Sequence, residues 1–386
     1  MKTMPEETRS WPVLHMGFRP FYLLAAVFAA TAVPLWRFGA DLPLPGPGYL
    51  AGTAWHAHEM VFGFAAAVLA GFLLTAARTW TGRATLAGVS LAALAGLWAA
   101  GRVLAATGPA LAAAAVDCLF LPCLALAVAV PVVGARNWRN LKVVAVVILL
   151  AAANLLFHLE YAGQWALPRT NGAARLALDL FALMVALIAG RVIPAFTANA
   201  VPSARPRSNR WVDLAAFASL GVLAVAGPGG PWLAAVAAAG AVAHGVRLWL
   251  WDPFSTLRKP LLWALPLSYG WLVVSLALRA LWLAGAGIPA ASSLHAFGVG
   301  VMGGLMLAMM TRSARGHTGR ELEAGPADTA AFVLVHLAAA FRVLGTLVGP
   351  EAGALAIDAA ALLWSGAFAV FLVAYWPVLT RPRLDV

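Results

Sequence analysis

The sequence predicts an all-α, polytopic membrane protein of about twelve transmembrane helices with both termini cytoplasmic. Three observations lead there. Of 386 residues, 62% are hydrophobic and only 11% charged, where a soluble protein carries about 25% charged residues. Apolar stretches of roughly 20 residues, the length that crosses the hydrocarbon core as a helix, recur along the chain. They show no period-two alternation, which argues against a membrane barrel, and lipid leaves no partner for unpaired backbone groups, so the spans must be helical.

The expected spans are about 18–36, 55–77, 85–104, 110–133, 141–160, 173–193, 211–226, 231–250, 261–283, 291–311, 328–348 and 353–376, in one integral membrane domain covering 1–386. Turns rich in Pro and Gly separate them at Leu42–Gly48, Gly227–Pro231, Gly285–Pro289 and Gly349–Gly353. Phe21 to Val33 has the look of a signal-peptide core, but Glu6 and Glu7 precede it, so it reads as the first span.

The net charge of +11 does not indicate nucleic acid, because the cations are spread over short loops. Threaded alternately through a bilayer, 20 of the 26 Lys and Arg residues fall on one side. Arg37, Arg102, Arg169, Arg175, Arg279 and Arg342 fall on the other. The richer side is cytoplasmic by the positive-inside rule. Cys118 and Cys123 lie five apart on one expected helix and face different ways, which argues against a disulfide. Without CxxC or CxxCH, neither a structural zinc nor a covalently attached haem is indicated.

Histidines gather at one depth. His56 and His58 open the second span, His158 closes the fifth, and His295 lies one turn into the tenth, all near the outer face. Interfacial snorkelling accounts for single polar residues near span ends. It does not account for histidines collecting on one side, which points to a metal or haem site. His56 and His58 are about 200° apart on a helix, so one faces the site better, and His58 is the deeper. Gly298, Gly300, Gly303 and Gly304 leave the tenth span with little bulk, as Gly63, Ala67 and Gly71 do the second. Such strips admit a close helix neighbour or a flat porphyrin.

On the haem reading, His58 and His295 are the axial ligands, with His158 and His56 next. Glu59 and Glu160 orient imidazoles or relay protons, and Arg102, Arg279 and Arg342 anchor propionates. Met302, Met306, Met309 and Met310 suit copper(I) or form flexible core. His244 and His336 read as hydrogen-bonded core residues. The alternative is a proton-coupled transporter of a metal complex, haem or a small solute, with intramembrane Asp117, Asp179 and Asp358 as its pathway.

Several strings together resemble the NnrS family of bacterial membrane proteins. They are Gly17-Phe18-Arg19-Pro20-Phe21, the stretch Trp55 to Phe64, Gly71 to Ala76 with Trp80-Thr81-Gly82, Gly190 to Pro194 with Phe196-Thr197, and Gly316-His317-Thr318-Gly319-Arg320. The resemblance implies a multi-pass protein of the bacterial inner membrane holding haem b and copper. It implies a role in the nitric oxide response and in resistance to nitrosative stress, with nitric oxide or an iron-nitrosyl species as partner. It supplies no reaction; a haem-dependent redox or nitric oxide-handling activity would need an electron donor outside the chain. Histidines on the second and tenth of twelve spans are also similar to haem–copper oxidases and nitric oxide reductases. This chain lacks their His-His pair on helix 7 and His-x-His on helix 10, which argues against a binuclear centre.

Overall fold

The computed structural model describes residues 11–39, 49–163, 172–226 and 230–384. Expectations placed on Lys2, Glu6, Glu7, Arg9, the Leu42–Gly48 turn, Arg169 and Gly227 to Gly229 lie outside them. Among the described residues there is no strand. The described residues form twelve long helices in succession: α1 Phe18–Phe38, α2 Gly52–Thr81, α3 Gly88–Thr107, α4 Ala110–Gly134, α5 Leu141–Tyr161, α6 Gly172–Ala200, α7 Arg210–Ala226, α8 Trp232–Leu250, α9 Pro260–Leu283, α10 Ala290–His317, α11 Pro326–Leu344 and α12 Pro350–Thr380.

Eleven of these are long and apolar enough to cross a membrane, which makes this a multi-pass membrane protein. The exception is α7, whose 17 described residues rise about 25 Å, short of the roughly 30 Å hydrocarbon core. The turn expected at Gly349–Gly353 lies four residues earlier, at 345–349. Pro350 opens α12 and Glu351 sits in its first turn, because proline suits the first helical position and an acid suits the positive helix end.

Two helices are not regular. α2 winds as a π-helix over Glu59–Ala65, and α10 does so over Ala296–Gly303. In each, the wide turn begins on the residue after a histidine, His58 or His295. Such turns are rare and often mark functional sites.

The chain packs as two units. The first comprises residues 1–167, 309–322 and 371–386, and the second 168–308 and 323–370.

In the first unit α1 packs on α2, α2 on α4, and α4 on both α3 and α5. Close approach of α1 to α2 depends on Gly71, where a Cβ would lie 2.8 Å from the Tyr22 ring. The Phe18 amide donates to Thr75 Oγ1 at 3.2 Å. Arg19, 3% exposed, donates through Nη1 to the carbonyls of Leu379 (2.9 Å) and Arg381 (2.7 Å). The Leu384 amide donates to Thr318 O at 3.1 Å. The motifs around Arg19 and Gly319 therefore hold the end of the chain.

In the second unit α8 packs on α7 and α9, and α9 on α10. Arg247 passes so close to Gly190 that a side chain there would collide with it. It donates to Asp213 Oδ1 (2.6 Å), Ala186 O (2.9 Å) and Tyr269 OH (2.9 Å). The glycine strip of α10 is a seat for neighbouring side chains: Gly300 lies against Trp271, Gly303 against Trp364, and Gly304 against Ser268. His244 bonds Tyr269 OH at 2.6 Å and His336 Nδ1 accepts from Trp271 at 3.2 Å.

Replacing Arg19 by alanine strips the buried Leu379 carbonyl and the part-buried Arg381 carbonyl of their charged donor. We expect Arg19→Ala to destabilise the first unit by about 2–4 kcal/mol. Thermal unfolding of the detergent-solubilised protein will show this as a lowered midpoint, with Arg19→Lys intermediate.

Candidate metal centre

The polar centre of the first unit is assembled by four helices. α2 supplies His58 and Glu59, α3 supplies Arg102, α4 supplies Asp117, and α5 supplies Asn154 and His158. All six are buried, none more than 7% exposed.

Asp117 is the hub. Its Oδ2 lies 3.1 Å from His58 Nε2, 3.0 Å from His158 Nε2 and 2.7 Å from Asn154 Nδ2, which donates to it. Its Oδ1 is paired with Arg102 Nη2. Arg102 Nη1 donates to Glu59 Oε1 at 2.7 Å, so one guanidinium joins both carboxylates. The same Glu59 oxygen lies 2.9 Å from His58 Nδ1. Glycines make the approach possible. A Cβ on Gly101 would lie 3.2 Å from Asp117 Oδ1, and one on Gly63 would lie 3.0 Å from both Arg102 Nη1 and Glu59 Oε2. Trp98 Nε1 donates to Gly63 O at 3.0 Å, giving the π-wound segment a side-chain donor.

The donor atoms of His58, Asp117 and His158 all lie within 4.8 Å of one another. Around a four-coordinate ion with ligands at about 2.0–2.1 Å, donor atoms sit about 3.3 Å apart. The two nitrogen-to-oxygen distances are thus close to what an ion requires, and these three residues can hold a metal. Histidine ligands usually give their second ring N–H to a carboxylate, and Glu59 is placed to take it from His58. Around His58 Nε2 the partners are Asp117 Oδ2 and Asn154 Oδ1 (3.1 Å), both acceptors. A neutral imidazole has one N–H to give, so serving both ends takes an added proton or an ion at Nε2. Charge agrees: two carboxylates against one guanidinium, with both imidazoles neutral, leave one negative charge unbalanced. Glu59 Oε2, Arg102 Nε and His158 Nδ1 are buried without a hydrogen-bond partner, which in a native interior calls for a ligand or ordered water.

A porphyrin fits His58 less well. The ring is fully buried, engaged at both nitrogens, and flanked by Phe157, His158 and Phe62 with centroids 5.0–5.2 Å away.

The other residues singled out in the sequence have surroundings of their own. His56 stacks on Trp36, centroids 4.1 Å apart. Glu160 is half-buried two residues beyond His158. Tyr49 stacks on His158 and donates to its carbonyl at 3.1 Å. Burial raises the Tyr49 phenol above its usual range, with Tyr161 and Cys118 adding to the shift, so it stays a donor. In the second unit His295 Nδ1 donates to Ala291 O at 2.8 Å. Arg279 grips both oxygens of Asp179, at 2.5 and 3.1 Å. Arg342 and Asp358 are half-buried on α11 and α12. Sequence reasoning missed Asn154 and gave Asp117 to a transport path. The available signal was helical spacing: Asn154 lies four residues before His158, on the same face.

Fold and site together define a multi-pass membrane protein with a histidine–carboxylate centre buried among its helices. The chain belongs to the NnrS family: the family model described as NnrS protein matches residues 12–383. No curated protein matches the sequence.

Removing the hub takes the carboxylate away from Arg102 Nη2, Asn154 Nδ2 and both imidazole Nε2 atoms. Asp117→Ala is expected to cost about 3–5 kcal/mol, read as a lowered unfolding midpoint in detergent. Gly101→Val, which drives a methyl into the same carboxylate, is expected to shift the midpoint the same way.

Proposed function

We propose that this protein is a metal-binding protein of the bacterial inner membrane that acts in the nitric oxide response and in resistance to nitrosative stress. In this reading His58 Nε2, His158 Nε2 and Asp117 Oδ2 hold one transition-metal ion. The observation carrying it is the convergence of those three atoms with Glu59 on the far nitrogen of His58. Two imidazoles and a carboxylate suit copper, iron or zinc, and the family resemblance favours copper. With three protein ligands, a copper ion would supply an open position for nitric oxide and a one-electron couple.

The surrounding residues have defined tasks. Glu59 fixes the tautomer of His58 by accepting its Nδ1 proton. Arg102 and Asn154 hold the Asp117 carboxylate in one orientation. Phe62 and Phe157 keep water from the imidazoles. Redox turnover would require an electron donor outside this chain.

Haem b with His58 and His295 as axial ligands makes a different demand on the same imidazole: His58 Nε2 must leave Asp117 and Asn154. Metal analysis and an optical spectrum of the purified protein separate the two. The ion reading expects about one metal per chain without a Soret band, lost in both His158→Gln and Asp117→Asn. A Soret band that survives His158→Gln and vanishes in His58→Ala would overturn it in favour of haem. A protein holding neither, with pH-dependent solute uptake in vesicles, would favour the transporter.

A further inference from the structure

Away from the buried centre, the first unit has an apolar groove between α3 and α4. It measures about 610 Å³, within the range of roughly 300–1,000 Å³ usual for ligand sites. Ala93 and Leu97 of α3 form one wall, and Cys123, Ala127 and Pro131 of α4 the other. Ala84, in the connection before α3, also lines it. From Cys123 to Pro131 the groove runs about 12 Å along α4, most of the roughly 15 Å depth of a single leaflet.

The end near Ala84 and Pro131 is basic. Arg83 precedes Ala84 and is exposed. Its guanidinium lies over Gly134, one turn beyond Pro131, where a Cβ would sit 2.6 Å from Nη1. Asn137 Nδ2 donates to Trp80 O at 3.0 Å, tying the two connections together. Arg136 and Arg139 are exposed in the same turn. Between Arg78 and Lys142 the single acid is Asp117, already paired with Arg102. Trp138, 60% exposed, belongs to the residue type that marks the headgroup level.

An apolar channel one leaflet deep, ending at an exposed guanidinium, matches one ligand chemistry. We infer that this groove binds an acyl chain of an anionic phospholipid whose phosphate is received by Arg83. The contact of Arg83 with Gly134 sets the guanidinium over the groove's end. The small side chains of Ala93 and Ala127 leave the width a hydrocarbon chain needs. A zwitterionic lipid fills the same channel but gains less from the basic rim, so the site discriminates by headgroup charge.

Cys123 lines the groove and is exposed, which makes it the reporter. In full-length Cys118→Ala protein in detergent, phosphatidylglycerol is expected to slow maleimide labelling of Cys123 about fivefold more than phosphatidylcholine does. Arg83→Gln should remove that difference, and Ala127→Phe should remove protection by either lipid. Intact-protein mass spectrometry of the unsubstituted chain gives a second reading, with phosphatidylglycerol retained over phosphatidylcholine. Equal protection by the two lipids, or a preference that persists in Arg83→Gln, would overturn the assignment.

Discussion

Two carboxylates lie deep among apolar helices, and one guanidinium keeps them there. An ionised side chain at the centre of a membrane helix costs about 3 kcal/mol by insertion scales, so Glu59 and Asp117 together would burden α2 and α4 heavily. Arg102 answers both at once. Much of the first unit serves that contact. Gly63 and Gly101 clear space for it, and Asn154 and the two imidazoles occupy the remaining face of Asp117. The helices are held in register by a polar knot whose members depend on one another, and that dependence places three ligand-type atoms together.

Two further buried arginines, Arg19 within one family motif and Arg247 against Gly190 of another, follow a similar logic without any ligand. Arg19 is spent on main-chain carbonyls at the end of α12, and Arg247 on Ala186 O, Tyr269 and Asp213. Arg247 crosses a gap that Gly190 opens. In an interior with few polar groups, a long cation with several donors joins segments that apolar packing alone would leave free to slide. Strings such as Gly17 to Phe21 and Gly190 to Pro194 thus mark where helices are fastened.

Much of this was legible in the sequence. Hydropathy placed most helix ends within four residues, because span length is set by the bilayer, but stopped six or seven residues short at the ends of α6 and α10. The number of spans also differs: the twelfth stretch, α7, lies where expected but has 17 described residues and is not among the eleven helices long and apolar enough to cross. Polar residues within apolar segments pointed to His58, Glu59, Arg102, Asp117 and His158, since such residues are costly and seldom idle. Their partners were not legible. Which imidazole meets which carboxylate depends on helix rotation, and a pattern of period 3.6 cannot supply that where the winding changes at Glu59. The glycines of α10 were ambiguous for the same reason: a smooth strip looks alike whether an indole or a cofactor lies on it, and Trp271 is remote in sequence.

The wide winding after His58 has a consequence for how such a centre is tuned. A π turn holds about one residue more than a regular turn. Losing a single residue between 59 and 65 would let α2 rewind evenly and swing its N-terminal end by about 100°, carrying the imidazole off its carboxylates. The C-terminal half, seated through Gly71 on Tyr22, would keep its place. The bearing of the histidine and the anchorage of its helix are therefore separable properties, adjustable by single-residue insertions and deletions.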